Sequence, residues 1–152
     1  MQLEGSCECG KIRFTVASSA PHPYRICYCR RCRKIGGGVG AAINILAEAD
    51  SLTILGELEP KAYEAAGGLK VKFCPECATA LFIELAGWPK WVYPFASAID
   101  SALPVPPHRI HIQWGDRVDW SPVVPAANDA VFEENAEESI LEWHERMRLV
   151  ER

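Results

Sequence analysis

LKVKFCPEC, residues 69–77, decides the fold, because an alternating strand runs without a break into a C-x-x-C knuckle. Such alternation marks a half-buried strand. Cys74 and Cys77 at this spacing turn two thiols toward one point, as a metal knuckle requires. The same construction stands near the N-terminus, where GSCECGK (residues 5–11) leads into KIRFTVA (residues 11–17), with Ile12, Phe14 and Val16 on one face. A third group, ICYCRRCRK (residues 26–34), puts three cysteines and four basic residues into nine positions.

The remaining apolar runs are short. AAINILA and LTIL, joined by a turn at Glu48–Asp50, read as strands, as do TALFIEL, WVYPFASAI and RIHIQW. SSAPHPY is a loop by composition, and Cys29–Lys34 predicts one helical turn ended by GGGVG. There is no βαβ alternation. The expectation is a mainly β fold of short strands and small sheets. After Pro125 the pattern changes: Ala136, Ile140, Trp143, Met147 and Val150 follow helical spacing, with acids early and bases late. This predicts a C-terminal amphipathic helix docked on its own domain; contact with a second copy, as a homo-oligomer, or with a partner is the alternative. The chain divides into a domain over residues 1–121 and an extension over residues 122–152.

A chain of 152 residues, 49% hydrophobic, can bury an ordinary core. The net charge of −4 and the lack of a basic stripe argue against general nucleic-acid binding. No basic-then-apolar leader opens the chain and no apolar run is long enough to span a membrane, so a cytoplasmic location is expected. All seven cysteines lie in C-x-C or C-x-x-C spacings, which favours metal ligation over disulfides.

Seven thiols divide into a closed set of four and an open set of three, as structural and catalytic zinc sites do. Two partitions satisfy the spacings. Cys7 and Cys9 can join Cys74 and Cys77, leaving Cys27, Cys29 and Cys32. Alternatively, Cys29 and Cys32 pair with Cys74 and Cys77, leaving Cys7, Cys9 and Cys27.

GSCECG, CYCRRCRKIGG, FCPEC and HIQWGDRVDW, in that order between Gly5 and Trp120, resemble the glutathione-dependent formaldehyde-activating enzyme family. The resemblance implies the first partition, with a structural zinc on Cys7, Cys9, Cys74 and Cys77 and a catalytic zinc on Cys27, Cys29 and Cys32. It also implies a zinc-stabilised β-tent, the fold shared with Rab-exchange-factor-like proteins. Its substrates would be a small thiol such as glutathione and an aldehyde. Centromere protein V resembles the same family, and a non-catalytic interaction module is the alternative function. The chain departs from the family pattern at Glu8 and Tyr28, where histidine is common, and at Ala78, where glycine is common.

Zinc with three thiolates carries a net charge of about −1 and is a weak Lewis acid, so thiol chemistry suits it better than hydrolysis. A substrate thiol taken as fourth ligand would be held as thiolate, ready to add to an aldehyde; the reverse reaction is a carbon–sulfur lyase step. Arg25, Arg30, Arg31, Arg33 and Lys34 would balance the thiolates or attract an anionic thiol. Arg33 and Lys34, which fall in a CRK run shared with the family, are the candidate substrate contacts. His111 reads as a core histidine or a proton carrier, and Trp114 and Trp120 as core or groove wall. His22, His108 and His144 are expected at the surface.

Overall fold

The computed structural model describes residues 1–151. In chain order the elements are β1 (Gln2–Ser6), β2 (Ile12–Ala17), β3 (Arg25–Cys27), α1 (Arg30–Gly36), β4 (Ala42–Ile43), β5 (Ala47–Glu48) and β6 (Thr53–Gly56). There follow β7 (Lys61–Ala65), β8 (Leu69–Phe73), β9 (Ala80–Leu85), β10 (Trp91–Pro94), β11 (Ile110–Ile112), β12 (Ala130–Val131) and α2 (Ile140–Met147). The protein is mainly β, as the short alternating runs predict.

Three small sheets result, with strand orders β1-β2-β6, β5-β10-β9-β8-β7 and β12-β11-β3-β4. The first two are antiparallel and enclose the main core. Ile12, Phe14 and Val16 present one buried face of β2, and Phe14 meets Phe82 edge-on at 5.7 Å. Leu81, Phe82 and Ile83 are all buried, because β9 is covered on both faces. Gly5 is required where β1 crosses this core: a Cβ there would lie 2.3 Å from the Phe14 ring and 2.5 Å from the Ala98 carbonyl oxygen. In the third sheet β11 runs parallel to both β3 and β12, placing Ile112 opposite Cys27.

The expected AAINILA strand divides in two. β4 belongs to the third sheet and β5 to the second, and between them the Asn44 side-chain amide donates to the Tyr93 carbonyl at 3.2 Å. The run is therefore a crossing between sheets, and its apolar residues serve two layers.

The C-terminal helix is shorter than its apolar stripe suggests. It starts after Ser139, whose hydroxyl and the Glu142 carboxylate form a reciprocal capping box. Ala136 and Val150 lie outside it, and the early acids precede it, so they do not occupy its first turn. Glu138 instead receives a two-pronged hydrogen bond from Arg146. Trp143 is fully buried and stacks on Tyr24, with ring centroids 3.7 Å apart and planes 10° apart. Burial of such a side chain contributes on the order of 2–3 kcal/mol.

His22 and His144, expected at the surface, are buried. The His144 Nδ1–H donates to the Ile140 carbonyl at 2.8 Å, and its Nε2 accepts the His22 backbone N–H at 3.1 Å. The ring is thus built in as the neutral tautomer, and burial lowers the pKa of both histidines. A histidine held neutral contributes stability that is complete above its unfolded pKa, about 6.5. That stability is lost as pH falls through the lowered folded value. The urea midpoint should therefore drop on acidification below about pH 6.5, and His144→Gln should flatten this dependence. Equal pH slopes for wild type and variant would exclude His144 as its source.

Candidate metal centres

Two hairpin turns assemble the first cysteine group. The β1–β2 turn carries Cys7 and Cys9. Cys7 N–H donates to the Ile12 carbonyl at 3.0 Å, Ile12 N–H returns a bond to the Cys7 sulfur at 3.2 Å, and Gly10 closes the turn at φ 73°. The β8–β9 turn carries Cys74 and Cys77, closed by Ala78 N–H on the Cys74 carbonyl at 2.9 Å. The two turns are tied together by Glu8 N–H on the Thr79 hydroxyl and by a Lys11–Glu76 ion pair. Thr79 also lies 3.2 Å from the Cys77 sulfur.

The four sulfurs lie within 4.8 Å of one another, with Cys7–Cys9 at 3.5 Å and Cys9–Cys74 at 3.8 Å. A tetrahedron with zinc–sulfur bonds of about 2.3 Å has edges of about 3.8 Å. The set therefore fits a closed four-thiolate site. Hydrogen bonds from the Thr79 side chain, then from the Cys9 and Thr79 backbones, lower Cys77 to about 6. Cys9 goes the other way, to about 12: the Lys11 backbone N–H opposes the rise, which comes from the Cys7 sulfur and desolvation. Crowded sulfurs of this kind cannot all become thiolates unless a cation joins them.

Ala78 occupies the left-handed region at φ 61°, where glycine carries no Cβ penalty. Ala78→Gly is expected to raise stability by about 1 kcal/mol, measured as a shift of the urea midpoint with the slope unchanged. A lower midpoint would show that the turn tolerates alanine without strain.

The second group is built by one strand end and one helix start. Cys27 closes β3, Cys29 is the N-cap of α1, and Cys32 lies in its first turn. The Cys29 sulfur accepts from Cys32 N–H at 3.5 Å, and the three sulfurs again lie within 4.8 Å of one another. Side-chain hydrogen bonds from Cys27 and Cys32 pull Cys29 down to about 2, while the same contacts push Cys27 up to about 11 and Cys32 upward. One thiolate shared among three sulfurs is a site short of positive charge. The structure thus brings together Cys7, Cys9, Cys74 and Cys77, and separately Cys27, Cys29 and Cys32; it does not join Cys29 and Cys32 to Cys74 and Cys77.

A cleft of about 390 Å³ opens at the second group. Leu69, Ile83 and Leu85 of the second sheet wall one side, Ile112 and Ile140 another, and Arg25, Arg31, Asn44 and Tyr93 supply its polar contacts. Arg33 and Lys34 lie on α1 outside this lining. Asn44, Tyr93 and Asn135 reach the cleft from distant segments and belong to no motif, so no local signal marks them. The cations are legible as a run, but which of them faces the cleft is set by β3 for Arg25 and by α1 for Arg31.

Tyr28, which its place between Cys27 and Cys29 would set beside the three-cysteine cleft, is turned away from it. Successive strand side chains alternate faces, so Tyr28 joins Ile26 and Ala41 in a separate buried cluster. Its hydroxyl is 2.8 Å from His111 Nδ1, and His111 Nε2 is 3.2 Å from Asp129. Ionised Asp129 only accepts, so Nε2 carries the proton and Tyr28 donates to Nδ1. Burial opposes ionisation of Asp129, but backbone N–H groups of Arg109 and Ala126 and the His111 bond outweigh it and lower its pKa. His111 is accordingly a core histidine. Trp114 packs edge-on against both rings, whereas Trp120 is 62% exposed and is not core.

Among the described residues no helix is long and apolar enough to cross a membrane. The chain is similar to a crystal structure of a Rhodobacter sphaeroides protein, 22% identical, with a TM-score of 0.56 over 66% of this chain and 91% of that one; this likeness is one of fold. A Halomonas elongata protein named "Putative glutathione-dependent formaldehyde-activating enzyme" is 45% identical over 156 aligned positions, covering 99% of both chains. The model of the family described as glutathione-dependent formaldehyde-activating enzyme matches residues 2–114, which include both cysteine groups. The chain belongs to the glutathione-dependent formaldehyde-activating enzyme family.

Proposed function

We propose that the protein adds a small thiol to an aldehyde, with glutathione and formaldehyde as substrates, and catalyses the reverse carbon–sulfur cleavage. The observation that carries this reading is the division of the cysteines. Four make a set with no vacancy, and three make a set one donor short, at the floor of a cleft. Two zinc ions per chain fit these donors, one holding the fold and one serving the reaction. Cys27, Cys29 and Cys32 would hold the second zinc, which would supply the positive charge that keeps a substrate thiol deprotonated.

The chain's own side chains do the rest. Leu69, Ile83, Leu85 and Ile112 exclude water around the sulfur, which keeps the thiolate reactive. Arg25 and Arg31 balance negative charge in the cleft. Attack forms the carbon–sulfur bond and moves the carbonyl electron pair onto oxygen, which then takes a proton. The thiol has released one proton to solvent, and the donor that protonates the oxygen recovers one from solvent, so the addition is balanced overall. Among the cleft-lining side chains, Tyr93 is the O–H donor, and burial, opposed by Arg25, raises its pKa and keeps it protonated at neutral pH. Tyr93 is assigned the proton delivered to that oxygen.

The test is exchange NMR of glutathione and formaldehyde with and without the zinc-loaded protein. Acceleration at micromolar protein is expected; none would sink this substrate pair. Tyr93→Phe should lower the catalysed rate about 100-fold or more with little change in stability, since positioned proton transfer contributes on that order. A full-rate Tyr93→Phe protein would assign the proton to solvent.

A further inference from the structure

Behind the three-cysteine group lies a buried polar network that takes no part in lining its cleft. Tyr28 is fully buried, and the side chains of His111 and Asp129 are 1% and 5% exposed. Resting on the reading that Cys27, Cys29 and Cys32 hold a metal ion, we propose that Tyr28, His111 and Asp129 are positioning residues for that group. Together they fix the backbone between Cys27 and Cys29, so that the sulfurs are already gathered when the metal and the substrate thiol arrive.

The segment is tied to β11 twice. Along the backbone, Cys27 pairs with Ile112, and Tyr28 N–H donates to the Ile112 carbonyl at 3.1 Å. Through the side chains, the Tyr28 hydroxyl donates to His111 Nδ1 at 2.8 Å. Cys29 is still extended, with φ −55° and ψ 155°, and only then does α1 begin. Neighbouring residues of an extended chain project to opposite sides, so anchoring Tyr28 on one side sets the direction of Cys27 and Cys29 on the other. A phenylalanine would fill the same space among Ile26, Ala41 and Trp114, but its ring would be free to shift along His111.

The far end of the network is equally fixed. Asp129 Oδ1 accepts the Arg109 N–H at 2.7 Å, and Oδ2 accepts the Ala126 N–H at 2.9 Å together with the His111 Nε2–H. A fully satisfied buried network holds one arrangement where apolar contacts tolerate several. Three thiols within 4.8 Å repel one another as they ionise, so without an anchor the loop would spread before a metal joined them. Asp129 lies beyond residues 2–114, where the family model matches, so part of the support for this group comes from the segment after it.

Cadmium-113 NMR of the full chain tests the network without turnover, because four-sulfur and three-sulfur sites give separate resonances. A chelator titration then reads the affinity of each. Tyr28→Phe removes only the hydroxyl. Asp129→Asn puts an amide N–H₂ against a backbone N–H in either orientation, since both carboxylate oxygens accept. Each variant should lower cadmium affinity at the three-cysteine group about 10-fold, the scale on which outer partners of metal ligands act, and leave the four-cysteine group unchanged. The double variant should lose about 10-fold rather than about 100-fold, because both changes break one network. Ile43→Val, which thins the same buried cluster without touching the network, should lower the urea midpoint and leave both affinities as they are. An equal loss of affinity in Ile43→Val would reduce the effect to packing and overturn the proposal. So would unchanged affinity in Tyr28→Phe, which decides alone where Asp129→Asn does not fold. A wild-type chain that takes no cadmium at Cys27, Cys29 and Cys32 would instead remove the metal reading, and the proposal with it.

Discussion

Cys77→Ser is expected to unfold the protein at neutral pH in the absence of denaturant. The four-cysteine group joins the β1–β2 turn to the β8–β9 turn, and so fastens the first sheet to the second across the main core. Beyond the sulfurs, that junction has the Glu8–Thr79 hydrogen bond and a surface ion pair to hold it. Exposed ion pairs contribute about 1 kcal/mol or less. Structural zinc in small domains binds with an apparent free energy of about 10–16 kcal/mol, against a net stability of about 5–15 kcal/mol for a whole domain. Serine supplies a harder and far less acidic donor at a position where Thr79 is built to favour a thiolate. Circular dichroism should show loss of strand signal, and metal analysis should show less than two zinc per chain. A folded Cys77→Ser protein that keeps two zinc would remove this group from its role in holding the fold.

The elements that could be read from the chain were those fixed by local rules. β2 and β8 alternate, and each adjoins a cysteine knuckle, so their faces and neighbours follow from spacing alone. The grouping of the sulfurs did not follow in that way, because two partitions satisfied the same spacings. Register decides it: β1–β2 and β8–β9 are hairpins whose turns meet, whereas Cys27 belongs to the third sheet. Tyr28 escapes a reading from sequence neighbours for a related reason. Its neighbours in sequence are both site cysteines, yet the two-residue period of a strand sends it to the opposite face. His22 and His144 were misplaced because their burial depends on a contact across 122 positions. Tyr93 and Asn44 carry no motif at all, and only tertiary packing brings them to the cleft. Local chemistry therefore revealed the cysteines that could hold metal ions, while the other residues of the cleft were visible only in the folded chain.

Cys29→Ser should separate reaction from fold. Cys29 is the N-cap of α1, and its sulfur accepts from the Cys32 amide. Serine is among the preferred N-cap residues and can take over that bond, so the helix start should survive with a stability change within about 0.5 kcal/mol. What serine cannot replace is the thiolate. Cys29 is the member of its group most strongly favoured as an anion, and Cys27 and Cys32 are pushed toward the neutral form around it. Removing that sulfur leaves two donors, and metal retention at the second group should fail. The expected result is one zinc per chain instead of two, an unchanged unfolding midpoint, and a loss of thiol–aldehyde exchange of at least about 100-fold, as for removal of other groups that act only in the reacting state. The combination matters more than any one reading. Loss of both zinc ions would mean that the two groups fold as one unit, contrary to their separate sheets. Full activity with one zinc would place the reaction away from Cys27, Cys29 and Cys32. Loss of activity with both zinc ions kept would make the Cys29 sulfur a participant in the chemistry other than as a ligand. Each outcome assigns the three-cysteine group a different part, and Cys29 is the position where serine spares the helix while removing the sulfur.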